Sequence, residues 1–77
     1  MTQRHMYESL HKALVEARQS KGLTQTEIAA RLGKPQSFVS KYENGERRLD
    51  VVEFLEVCQA LAVKPNSILN KIDFDNA

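Results

Sequence analysis

Four side chains near the middle of the chain are of types that can read or grip a nucleic acid: Gln36, Ser37, Ser40 and Lys41. A glutamine amide donates and accepts at once, which matches the N6 and N7 edge of adenine in a major groove. Serine can serve any base or a phosphate, and lysine prefers guanine or phosphate oxygens. Their spacing of i, i+1, i+4 and i+5 gathers them on one face if the segment is helical, with Val39 and Tyr42 turned inward. Other candidates for chemistry fall away. His5 and His11 lack a second set of ligands at metal spacing. Cys58 lies on an apolar stripe and reads as a small core residue. Glu53, Glu56, Asp73 and Asp75 have no pocket that would bury them as a catalytic pair. Neither an enzyme nor a cofactor or metal site is expected.

Holding that helix in place requires other elements, and their boundaries are written in capping signals. Thr24 and Glu27 form a capping box, flanked by Leu23 and Ile28 at hydrophobic-staple positions. Asp50 and Glu53 repeat the box with Leu49 and Phe54 as the staple, and Val63, Pro65 and Ile68 mark a third start. Gly22, Gly33 and Gly45 fall just past helix ends, where a left-handed cap suits glycine. These marks predict an all-α fold of five helices near 5–21, 25–32, 36–44, 51–62 and 65–71. The expected core is Leu10, Leu14 and Ala17, then Ile28, Ala29 and Leu32, then Val39 and Tyr42. From the fourth helix it takes Val51, Phe54, Val57 (or Leu55), Cys58 and Leu61. Ala29 is small where the second and third helices cross, and Gly33 turns the chain between them. Phe38 reads as cover for the core edge, with a thymine methyl as its alternative contact.

The chain has 77 residues, 42% hydrophobic and 27% charged, which bounds it to one domain over 1–77 with a small core. One cysteine and no zinc pattern fit a reducing, cytoplasmic setting. No apolar run could span a bilayer, and the polar N-terminus does not read as a signal peptide. The net charge of +1 conceals an asymmetry. Residues 1–48 hold nine Lys/Arg against five Asp/Glu, a balance of +4, whereas 49–77 hold two against five, a balance of −3. Basic charge therefore gathers around the second and third helices, as a phosphate-facing surface requires.

The segments LTQTEIAARLG (23–33) and SFVSKYENGERR (37–48) resemble the Cro/phage-repressor type of helix-turn-helix regulator. That type includes the short controller proteins of restriction–modification systems. The second segment is close to the family's S-x-x-S-x-x-E-N-G-x-R pattern, and the likeness covers about residues 10–71. The resemblance implies a helix-turn-helix at 25–44, with a tail at 72–77. Gln36, Ser37, Ser40 and Lys41 would reach base edges. Gln25 would bond a phosphate and buttress Gln36. Asn44, Arg47 and Arg48, with Lys34 ahead of the helix, would grip the DNA backbone. Arg18 and Glu43 resemble a buried structural ion pair. Pro35 stands where the family has a Ser or Thr cap. It suits a first helical position, which would leave Lys34 as an extended cap.

These implications predict a regulator that binds double-stranded DNA, acting on the nucleoid as a homodimer, since one helix reads too few bases for tight specificity. Val52, Leu55, Leu69, Ile72 and Phe74 exceed what one small core needs and are the expected dimer surface. Two rival readings differ in class. One is a protein-interaction module, an antitoxin or anti-repressor on the same fold. The other is a non-specific nucleic-acid binder, which the small net charge disfavours.

Overall fold

The computed structural model describes residues 3–72. Five helices follow in order: α1 (Gln3–Ser20), α2 (Gln25–Leu32), α3 (Gln36–Glu43), α4 (Val51–Leu61) and α5 (Pro65–Leu69). No strand occurs among the described residues. The α2–α3 pair is the centre of the packing: α2 lies against α3 and α4, while α1 lies against α3 and α5.

The helix starts form as the caps dictate. Thr24 Oγ1 accepts from Glu27 N at 3.0 Å, and Glu27 Oε1 accepts from Thr24 N at 2.8 Å. Asp50 and Glu53 make the same reciprocal pair at 2.7 and 3.0 Å. Each box satisfies two backbone groups that would otherwise lack partners. Gly33 ends α2 at φ 68°, with its N–H and that of Lys34 turned back on the last carbonyls. Ala62 closes α4 in the same left-handed conformation at φ 58°, where glycine would be less strained. Pro65 occupies the first turn of α5.

The core joins all five helices: Ala13, Leu14 and Ala17, Ile28 and Ala29, Val39 and Tyr42, Phe54, Val57, Cys58, Ala60 and Leu61, and Ile68. Leu10 and Leu32 cover it from the edge, together with Leu23, Phe38, Leu49 and Val63. Between the two alternatives on α4, Val57 is buried and Leu55 is exposed. Two sequence expectations are corrected here. Val51 is 74% exposed rather than core. It is the first residue of α4, at the margin of the Phe54–Leu61 stripe, and so falls past the end of the packed layer. Pro35 is the N-cap of α3 (φ −65°, ψ 154°), and the helix starts at Gln36. Proline's fixed φ is compatible with the extended cap conformation, so Pro35 itself rather than Lys34 is the cap, the start at Gln36 agrees with the expected range of 36–44, and no side chain caps the helix.

Candidate nucleic-acid interface

The α3 helix buries Val39 and Tyr42 and leaves Gln36, Ser37 and Lys41 exposed, with Ser40 half-buried. Ser37, Lys41 and Asn44 are spaced i, i+4 and i+7, so they form the outermost ridge. Gln36 stands on the flank that faces α2. Phe38 occupies the opposite flank, half-buried, with its ring 5.7 Å from that of Tyr42 in an edge-on contact. Its role in the fold is packing. Two cations lie over its ring, with Lys34 Nζ at 5.2 Å and Arg47 Cζ at 4.7 Å from the centroid.

A chain of hydrogen bonds beneath α3, charge-assisted where it meets Glu43, sets the orientation of Gln36. Arg18 grips Glu43 with both forks, Nε to Oε2 at 2.7 Å and Nη2 to Oε1 at 3.1 Å. Its Nη1 also donates to the Leu23 carbonyl at 2.8 Å. The side chains of this pair are only 14% and 4% exposed, and the bond to Glu43 holds the Arg18 pKa above its ordinary value. Glu43 Oε1 also accepts from Gln25 Nε2 at 2.9 Å. A carboxylate can only accept, so the Gln25 amide must turn its nitrogen inward and its oxygen outward. That oxygen accepts from Gln36 Nε2 at 3.0 Å. Gln36 thereby commits one N–H, leaving its second N–H and its carbonyl oxygen for an outside partner. A donor beside an acceptor is the complement of an adenine edge. No inward-turned side-chain polar atom among the described residues is buried without a partner.

The loop after α3 treats its two arginines differently. Arg47 forms a bidentate pair with Glu53, at 3.0 and 2.8 Å, and also donates to the Arg48 carbonyl at 3.1 Å. The Arg47 bond is the main reason that the Glu53 carboxyl is pulled down to about 2. Arg48 is exposed, and its Cζ lies 4.3 Å from the centroid of the Tyr7 ring on α1. Gln25 is half-buried, while Lys34 and Asn44 are exposed beside α3. On α4 and α5, Val52 is 64% exposed and Leu55 and Leu69 are each 45% exposed. Ile72 is half-buried, and Phe74 lies outside the described residues.

Burial raises the Cys58 thiol pKa and lowers that of His11, so both are held neutral near pH 7. Among the described residues no group of three or more His, Cys, Asp or Glu side chains could hold a metal ion, and no helix is long and apolar enough to cross a membrane. Tyr7 and Arg4 are not singled out by the sequence. Their spacing with Glu8 and His11, on one face of α1, was the available signal.

The model of the Helix-turn-helix family matches residues 14–68, a span that contains α2, the turn, α3 and α4. This chain belongs to that family, in its XRE-type branch. A transcriptional regulator of the helix-turn-helix type from Sinorhizobium fredii, y4dJ, is 39% identical over 56 residues, covering 73% of each chain. An XRE-family-like protein from Pseudomonas syringae superposes with a TM-score of 0.81 at 55% identity, over 86% of this chain and 80% of that one. The restriction–modification controller protein C.AhdI from Aeromonas hydrophila gives 0.75 at 31% identity, over 80% of this chain and 94% of its own. The clp gene regulator ClgR from Corynebacterium glutamicum gives 0.80 at 27% identity, over 86% of each chain. By their names the Sinorhizobium protein is a transcriptional regulator, C.AhdI a restriction–modification controller and ClgR a clp gene regulator.

Proposed function

We propose that this helix-turn-helix protein binds double-stranded DNA sequence-specifically with α3 in the major groove, and regulates transcription as a homodimer on a two-half-site operator. The observation that carries this reading is the Glu43–Gln25–Gln36 chain, which aims a paired donor and acceptor outward from the first turn of α3. Gln36 reads an adenine, and Ser37, Ser40 and Lys41 contact neighbouring bases. Gln25, Lys34, Asn44 and Arg48 hold the phosphate backbone. Arg47 supports the loop through Glu53 and contributes less to the backbone than Arg48 does. The printed roles of the relatives, a transcriptional regulator, a restriction–modification controller and a clp gene regulator, support regulation as the outcome.

Dimer formation would use the exposed apolar side chains Val52, Leu55 and Leu69, together with Ile72 and Phe74. A two-fold pair would set two α3 helices about one helical turn of DNA apart, near 34 Å. The purified chain, offered a pool of random duplexes, should enrich a motif with two symmetric half-sites at that spacing. Recovery of unrelated sequences would contradict specific recognition, and a single unpaired motif would contradict the dimer.

A further inference from the structure

The groove between the first turns of α1 and the loop that follows α3 encloses about 450 Å³ and is lined by Arg4, Tyr7, Glu8, His11, Asn44, Gly45 and Arg48. Resting on the DNA-binding reading above, in which Arg48 holds the phosphate backbone, we propose that Tyr7, outside the helix-turn-helix itself, is the positioning residue that holds Arg48 toward phosphate in this groove.

Three observations carry it. The first is placement. Asn44 belongs to the outermost ridge of α3 with Ser37 and Lys41, so the groove opens at the C-terminal end of the surface that would lie against DNA. The second is the state of Arg48. The neighbouring Arg47 has its charge answered by Glu53 at 2.8 Å, whereas Arg48 makes no ion pair with a carboxylate among the described residues. Its guanidinium instead lies 4.3 Å from the Tyr7 ring centroid. An aromatic face orients a cation without consuming its hydrogen-bond donors, so all five Arg48 N–H groups remain available to phosphate oxygens.

The third is the way the ring is held. Tyr7 stacks on His11, with centroids 6.3 Å apart and planes inclined by 24°. Gly45 approaches the same imidazole so closely that a Cβ there would stand 3.4 Å from its ring atoms. The loop therefore packs against α1 here, and Tyr7 lies under Arg48 at that point. Glu8 is engaged by Arg4 through a bond of 3.1 Å, which reduces its repulsion of an incoming phosphate. The remaining charge of the groove is that of Arg48, and DNA is the polyanion already expected beside Asn44.

The test uses the full chain on its preferred duplex and on an unrelated duplex, across a series of salt concentrations. Tyr7→Leu should weaken both complexes about two- to fivefold, the range of an exposed cation–π contact. Tyr7→Phe should restore wild-type affinity, because the ring face is kept. Arg48→Ala should lower the slope of log affinity against log salt by about one unit. The double variant Tyr7→Leu/Arg48→Ala should bind no worse than Arg48→Ala alone. Thermal melts of each variant separate loss of fold from loss of contact, and a Tyr7→Leu variant that melts early but keeps its affinity overturns the proposal. Additive losses in the double variant also overturn it, as does Tyr7→Phe behaving like Tyr7→Leu. A saturable response of the Tyr7 and His11 resonances to millimolar inorganic phosphate, without an effect of Tyr7→Leu on DNA affinity, would make the groove a small-anion site instead. If the wild type binds no duplex while these variants fold normally, it is the DNA-binding reading that has failed.

Discussion

Beneath α3, Arg18, Glu43, Gln25 and Gln36 form a chain in which each inward-turned polar atom meets a partner of fixed direction. On α4, Val51, Val52 and Leu55 turn apolar side chains outward with no such direction imposed on them. The contrast separates two tasks. Hydrogen bonds specify orientation, which reading a base edge requires. Apolar area is non-directional and sums over a surface, which association requires. A half-satisfied polar chain would be costly, so its members must stand or fall together.

The largest expected effect breaks the polar side. Removing one member of a nearly buried ion pair strands the other charge, at a cost of about 3–5 kcal/mol. Chemical denaturation of Arg18→Met and Glu43→Gln should show losses of that size, and the double variant should lose less than their sum. Single variants as stable as wild type would mean that the pair is solvated and orients nothing. The apolar side should respond in the opposite manner. Leu55→Asp should leave the melt within about 0.5 kcal/mol of wild type, as surface changes do, while lowering the dimer fraction in sedimentation and with it operator affinity. A wild-type chain that stays monomeric at high micromolar concentration would remove the association role from this face.

A smaller effect sharpens the boundary between the two regions, at the loop. Arg47→Ala should leave the salt dependence of DNA binding nearly unchanged, because its charge is already answered by Glu53. The pH dependence follows from the Glu53 carboxyl, held at about 2 in the fold against an ordinary value near 4.5. A depressed carboxyl stabilises the fold above its unfolded value, and that contribution disappears as pH falls through the folded one. Stability measured from pH 5 down to pH 2 should therefore decline, and Glu53→Gln should flatten that decline. An identical acid limb in Glu53→Gln would mean that the Arg47 bond does not persist in solution.

Much of this was legible in the sequence because the signals are local. Thr24 with Glu27 and Asp50 with Glu53 lie three residues apart, and the helices begin where those boxes place them. The i, i+3, i+4, i+7 stripe identified Phe54, Val57, Cys58 and Leu61 as core. The same stripe misplaced Val51, because periodicity does not say where the packed layer ends. Pro35 was misread for a related reason, since its fixed φ fits a cap as well as a first helical turn. The sequestration of Arg47 escaped notice because Glu53 already had a capping task, and one carboxylate performs both. The Tyr7–Arg48 contact joins residues forty-one positions apart, beyond the reach of any local pattern.

The central claim is that the buried chain aims Gln36 at a base. Binding of Gln36→Ala should be measured on operators that carry every base at each position. The expected result is a loss of about 1–3 kcal/mol on the preferred site, with discrimination relaxed at one base pair in each half-site and the melt unchanged. A uniform loss on all sequences would contradict the account, since it would make Gln36 a phosphate contact and pass base reading to Ser37, Ser40 or Lys41.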